Sequence, residues 1–214
     1  QFTDIWRQYY ANANYSYALS ENQSLNLDFN LYRTNDSGQS LAGTIDNTTW
    51  SLAAAYKVGA HRLTLAYQRV DGDEPFDYLG FDQQPGTSIF LANSIQILDF
   101  NAPNERSWQL RYDLDMAPFG VPGLSFMSRY VSGDHIDDSH YDGGANGAYG
   151  RYGSDGKRWE RDLEARYVVQ SGTAKDLSVR VRQASVRSTT QVARADTTDN
   201  NEVRVIVEYP LSIF

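Results

Sequence analysis

Along almost the whole chain, apolar and polar residues alternate one by one, in stretches joined by connections that are in turn very short and long. Leu25, Leu27, Phe29 and Leu31 interleave with Asn26, Asp28 and Asn30. Leu63, Leu65 and Tyr67 interleave with Thr64, Ala66 and Gln68, and Val203, Val205, Val207 and Tyr209 with Arg204, Ile206 and Glu208. Side chains of an extended strand point alternately to its two faces, so each stretch has one greasy and one largely polar face. Such ribbons suit a wall with lipid on one side and water on the other.

The spacing predicts nine strands, over 4–19, 24–34, 48–58, 61–70, 107–115, 123–132, 159–169, 176–186 and 202–211. The connections Ser20–Gln23, Gly59–Ala60, Met116–Pro122 and Gln170–Lys175 are short. Those at 35–47, 71–106, 133–158 and 187–201 are long and rich in Gly, Asp, Asn and Ser. Outer-membrane barrels have tight periplasmic turns and long extracellular loops, whereas a soluble sandwich has no reason to sort its loops by length. The expected fold is therefore all-β, a transmembrane antiparallel β-barrel in the outer membrane of a Gram-negative cell.

Composition is compatible with that reading. Mean hydropathy is −0.56, and the longest apolar run is Leu52 to Tyr56, far short of the ~20 residues a transmembrane helix needs. A barrel strand needs only about ten residues, half of them apolar. The chain has 15 Tyr and 4 Trp, many near predicted strand ends, where amphipathic rings favour the headgroup level; high β-propensity alone also accounts for aromatics in strands. Cysteine is absent, which excludes disulfides and thiolate metal sites. The formal charge of −8 and the lack of a basic run argue against nucleic acid as a partner. Gln1 leads into strand-like sequence without a signal-peptide pattern.

Parity adds a constraint. Bacterial single-chain barrels have an even number of strands, and both termini are expected on the periplasmic side. The last predicted strand leaves a long loop and so ends periplasmically; counted back through nine, the first runs inward from outside. An odd number of further strands is then expected upstream, or a second chain that pairs with this one.

Catalysis and metal binding find little support. His61 lies at a short turn and His135 and His140 in a long loop, none with a motif that sets it against a serine. Asp134, Asp137, Asp138 and Asp142 lack a defensible ligand spacing, and the segment reads as a hydrated loop. Gly153–Lys157 misses the spacing of a phosphate loop and joins two strands. No cofactor is expected, and the chain reads as a non-enzyme.

Several longer motifs carry a family resemblance: Trp6-Arg7-Gln8-Tyr9-Tyr10, Tyr32-Arg33-Thr34-Asn35-Asp36, Asn47 through Tyr56, Pro75-Phe76-Asp77-Tyr78, Ser88 through Ser94, Ala174 through Ser178, and Tyr209 through Ile213. Over essentially its whole length the chain resembles the OprD family of outer-membrane carboxylate channels. The resemblance implies the C-terminal half of an 18-stranded barrel, monomeric once complete, with lipid and lipopolysaccharide outside and the N-terminal half closing the wall. All of 1–214 would be one half of a single barrel domain. Family members pass small carboxylate-bearing solutes, basic amino acids and carbapenem antibiotics among them. The loop 71–106 would fold into the lumen and narrow it. Its Phe76, Tyr78, Phe81, Ile89, Phe90, Leu91, Ile95 and Ile97 are too apolar to float in water, although an external cap would bury them as well.

Strand phase places Arg111, Arg129, Arg166, Arg180, Arg182 and Arg204 on the polar face. A midplane arginine facing lipid would cost ~2–4 kcal/mol, so that phase is expected of any barrel. A file of guanidiniums offers successive doubly donating sites for a carboxylate. Asp113, Glu160, Asp162, Glu164, Glu202 and Glu208 share the face and could pair with the arginines to brace the wall; the pattern leaves both roles open. The resemblance implies a basic ladder that includes Arg166, Arg180, Arg182 and Arg204, with Arg166 replacing a lysine. It also assigns Asp99 and Ser88 to the constriction, Asp99 attracting the cationic end of a basic solute. Thr87 stands where a second acid is expected and Ile97 where a tyrosine is, so a channel for aromatic or other monocarboxylates is the alternative. Asp71, Asp73 and Glu74, at the start of the loop, could compensate for the lost acid, and otherwise read as solvated turn residues, which is the preferred reading. A soluble β-barrel that binds a ligand between its sheets is the rival from another class. Phe214 fits the terminal aromatic of an outer-membrane insertion signal, which Pro210 and Ser212 interrupt.

Overall fold

The computed structural model describes residues 4–78, 89–196 and 198–210. Among these residues nine strands form one sheet: β1 (Trp6–Ser20), β2 (Gln23–Asp36), β3 (Asp46–Val58), β4 (His61–Asp71), β5 (Arg106–Asp115), β6 (Leu124–Ile136), β7 (Gly156–Val168), β8 (Ser178–Ser188) and β9 (Asn200–Glu208). Every neighbour in space is the neighbour in sequence, and every pairing is antiparallel. Among the described residues no helix is long and apolar enough to cross a membrane.

The alternation becomes a two-faced wall. Trp108, Leu110 and Tyr112 of β5 and Val203, Val205 and Val207 of β9 stand exposed on one side. Aromatic side chains band that side near both ends. Toward the long loops, Trp50 and Tyr67 lie 5.5 Å apart, as do Trp108 and Tyr130, and Tyr130 lies 5.9 Å from Trp159. Toward the short turns stand Tyr56, Tyr112 and Tyr167. Two such girdles around an apolar band are how a barrel meets its two membrane interfaces.

Strand ends depart modestly from the sequence reading. The sheet register shifts between Gly133 and Ile136, so β6 runs on to Ile136, past residue 132 where the sequence reading ended the strand. Such a bulge inserts residues without ending the strand. At β9 pairing begins at Asn200, because a polar strand end still satisfies its backbone by cross-strand bonds. One long connection holds a short helix, α1 (Thr190–Ala195), which no hydrophobic period announced.

Nine alternating strands leave β1 and β9 running the same way at the two open edges. In lipid each unpaired backbone group costs several kcal/mol. A second copy in the same membrane orientation would offer β9 a parallel neighbour, breaking the pattern of every other pair in the wall. Closure therefore needs a partner with an odd number of strands that begins and ends in the opposite sense. Refolded alone in detergent, this chain should give no SDS-resistant, heat-modifiable band at any concentration. Adding the complementary strands should produce one, whereas a resistant band from this chain alone would contradict the edge argument.

Candidate translocation pathway

Between β4 and β5 the described stretches 72–78 and 89–105 lie over the polar face of the sheet. Their anchors run almost from edge to edge. Phe90 N donates to Tyr32 Oη on β2 (3.0 Å), and Ala92 N to Ser51 Oγ on β3 (3.0 Å). Gln68 of β4 is wholly buried and saturated: its Nε2 donates to the carbonyls of Asp99 (2.9 Å) and Phe100 (2.8 Å), and its Oε1 accepts from Asn93 N (2.9 Å). Glu160 of β7 accepts from the backbone N–H of Ile97 (3.0 Å) and Leu98 (2.7 Å), and Gln96 donates to Glu202 of β9 (2.8 Å). Around these bonds the segment's apolar side chains find cover. Phe76, Ile89 and Leu91 pack with Tyr32 and Val70, while Leu98 and Phe100 pack with Val131 and Val186. Burial of that kind stabilises by roughly 25 cal/mol per Å² of apolar surface, which an extended loop in water would forgo.

Asp99 is held within this segment. Ser94 Oγ donates to its Oδ1 (2.5 Å) and Tyr78 Oη to its Oδ2 (2.8 Å). Burial first, and the adjacent Asp99 carboxylate second, push the Tyr78 phenol up to about 12, so near neutral pH it remains a donor. The left-handed backbone of Phe100 (φ 49°) is sparsely populated for a bulky residue. The bond from Gln68 to its carbonyl holds it there. Ser88, together with Thr87, lies outside the described residues. Glu74 corrects the sequence reading: rather than solvated it is buried, accepting from Asp46 N (2.9 Å), and burial raises its carboxyl above the usual range. Asp138 is likewise buried, its carboxylate accepting from Tyr152 N and Gly153 N (2.7 Å each) and so ordering the loop that contains it.

Cross-strand register sorts the six arginines into three successive rows on the polar face. Arg111 is opposite Arg129, Arg182 opposite Arg204, and Arg166 opposite Arg180. The carboxylates interleave with them. Arg111 forks onto Asp113 through Nε (2.9 Å) and Nη2 (2.7 Å). Arg129 binds Asp162 through Nε (2.9 Å), both groups nearly enclosed. Arg204 holds Glu202 (2.5 Å), and Arg182 meets Glu164. The last row differs. Arg180 lies 3.7 Å from Glu164 and 3.8 Å from Glu208, and among the described residues its buried Nε makes no hydrogen bond. Among the described residues Arg166 bonds only Ser178 Oγ (3.0 Å) and has no ion pair.

One residue of consequence escaped the sequence reading. Arg158 of β7 is fully buried: Nε and Nη2 grip Glu105 (2.9 and 2.7 Å), Nη1 reaches Asp196 beside α1 (2.5 Å), and its guanidinium lies 5.4 Å from the Phe100 ring centroid. Glu105 in turn accepts from Ala102 N (3.0 Å). A Cβ on Gly133 would collide with both Glu105 and Phe100. The sequence carried no signal for this lock beyond an arginine in lumen phase, because its partners lie on two different long connections.

The model of the family described as outer membrane porin, OprD family, matches residues 1–213. Porin D of Pseudomonas aeruginosa is 57% identical over 219 residues, covering 100% of this chain and 48% of its own. The chain thus spans about half the length of the curated relatives it matches. Among solved structures, Pseudomonas aeruginosa OprD superimposes with a TM-score of 0.89 at 58% identity, covering 99% of this chain and 55% of that one. OccD3 of the same organism gives 0.88 at 41% identity, covering 100% and 52%.

Replacing Arg158 by Ala leaves the Glu105 charge buried and unpaired, a change that costs about 3–5 kcal/mol in comparable sites. The R158A barrel should keep its SDS-resistant band, while the segment 72–105 becomes open to limited proteolysis. Unchanged protection of that segment would show that the lock is dispensable.

Proposed function

The chain belongs to the OprD family of outer-membrane porins, and from that footing we propose that it lines a passive, weakly selective channel for small carboxylate-bearing solutes. Basic amino acids, small peptides and antibiotics of the carbapenem type fit the chemistry. The observation that carries the reading is the anchoring of the described stretches 72–78 and 89–105 across the polar face of the sheet, with Asp99 on the same side of the wall as the arginine rows. In a closed barrel that face is the lumen, and a segment laid across it narrows the path. Asp99, poorly screened in a narrow passage, attracts the cationic end of a solute. The arginines take its carboxylate.

Register supports a division of labour among those arginines. Arg111, Arg129, Arg182 and Arg204 lie against carboxylates within the wall, so much of their charge is matched there. Arg166 and Arg180 retain donors that a passing carboxylate can take. Transport needs sites that attract and still release, and two guanidiniums with little competition meet both needs. Phe76, Leu91, Leu98 and Phe100 hold the segment in place, leaving its polar groups to sort. No covalent step and no energy source are implied. The alternative, a channel for aromatic or other monocarboxylates, draws on Thr87 and on apolar Ile97 at the sorting segment.

Three outcomes follow for the complete barrel. Neutralising Arg166 and Arg180 together (R166Q/R180Q) should slow carboxylate entry into proteoliposomes about tenfold, the loss of one charge-assisted hydrogen bond, with entry of a neutral sugar unchanged. Equal slowing of both solutes would favour bracing as the role of this row. Arg129→Gln should act on stability instead, lowering the temperature at which the SDS-resistant band is lost, because it strands Asp162 in the wall. Asp99→Asn should move the reversal potential in a salt gradient toward anion preference; no shift would remove Asp99 from the sorting role.

A further inference from the structure

Below the inward segment, toward the short-turn end, lies a cavity of about 410 Å³ roofed by Ala92 and floored by the polar faces of β2 to β6. Its charges are separated. At one side stands Asp28, oriented by three asparagines: Asn12 and Asn14 donate to its Oδ1 (2.9 and 3.1 Å) and Asn30 to its Oδ2 (3.0 Å). At the other side stand Arg62 and Arg111. Arg111 engages Asp113 through Nε and Nη2, and among the described residues its Nη1 makes no hydrogen bond. Arg62 makes no hydrogen bond or ion pair among the described residues. Between the two sides the wall carries Ala53, Ala55 and Ala66 on the same face, too short to bridge the charges.

We propose that this cavity is a holding station for solutes that carry a carboxylate and a separated positive charge, with Arg62 taking the carboxylate and Asp28 the cation. Each group has the capacity. A guanidinium has five N–H donors, and a carboxylate has room for about four acceptor contacts, of which Asp28 uses three. Strand spacing and rise put the Cα atoms of Asp28 and Arg62 roughly 16 Å apart. Their side chains line one cavity, which leaves between them a gap the length of an extended amino acid with a cationic side chain. The volume falls within the ~300–1,000 Å³ usual for small-molecule sites. The station would receive a solute that has passed Asp99 and hold it before the Arg166–Arg180 row. The proposal rests on the carboxylate-channel reading above and adds to it a site that needs both charges at once.

Single-channel recording of the complete barrel tests it with three probes: arginine, which has both groups; agmatine, which lacks the carboxylate; and pentanoate, which lacks the cation. Arginine should block the wild-type channel for longer than either half-probe. Arg62→Gln should shorten arginine blocks about tenfold and leave agmatine unchanged. Asp28→Asn should shorten arginine and agmatine blocks and leave pentanoate unchanged. Blocks by arginine no longer than those by the half-probes, or variants that alter all three probes equally or none, would overturn the proposal. The R166Q/R180Q channel separates the two readings: if it slows carboxylates while Arg62→Gln and Asp28→Asn change nothing, the station fails and the channel reading stands.

Discussion

A polypeptide wall in hydrocarbon has no water to satisfy its backbone, and that single constraint dictates the rest of this structure. Every N–H and C=O in the spanning region must be paired within the wall, which leaves paired antiparallel strands as the solution for a chain without long apolar helices. Strand pairing fixes a period of two. The period in turn gives one face to lipid and the other to water, so every charge that a substrate could meet is carried by half the residues of each strand. Arg111, Arg129, Arg166, Arg180, Arg182 and Arg204 share one side with Asp113, Asp162, Glu164 and Glu202 for reasons of solvation before any function is asked of them.

Crowding acidic and basic groups on one face has a cost that the structure meets by mutual pairing. Asp113, Asp162, Glu164 and Glu202 each sit against an arginine of their own or a neighbouring strand. Pairs of this kind contribute little net stability when exposed and penalise heavily when one partner is removed. In the proposed channel the carboxylate is taken by the exceptions, charges that the wall leaves incompletely matched: Arg166, Arg180 and, beneath the inward segment, Arg62. The segment itself follows the same logic from the other direction. Its apolar residues drive it onto the wall, while Gln68, Glu160 and Glu105 take up the backbone N–H and C=O groups that would otherwise be buried unpaired.

How much of this was legible in the sequence depended on the range of the interaction. Leu63, Leu65 and Tyr67 announce a strand and its lipid face because the signal lies within a few residues. The alternation of short and long connections announced the barrel topology for the same reason. Arg111 and Arg129 could be placed on the polar face by phase, yet their partners could not be chosen, since Asp113 lies two residues from Arg111 and Asp162 lies on the next strand from Arg129. Glu74 looked like one more acid in a hydrated turn; its burial against Asp46 N depends on where two separate loops come to rest. Arg158 bonds Glu105 and Asp196 from distant connections, and no local pattern encodes that meeting. The family resemblance pointed to Asp99 before any geometry was available, while Ser94 and Tyr78, which hold it, became visible only in three dimensions.

In the proposed channel the segment 72–105, and not the barrel wall alone, does the sorting. The most direct test of that role compares arginine and benzoate entry into proteoliposomes for the complete barrel and for one in which 75–101 is replaced by a short glycine linker. The account predicts faster entry of arginine than of benzoate in the intact channel, and rapid entry of both without preference once the segment is removed. Discrimination that survives the excision unchanged would contradict it and return selectivity to the wall.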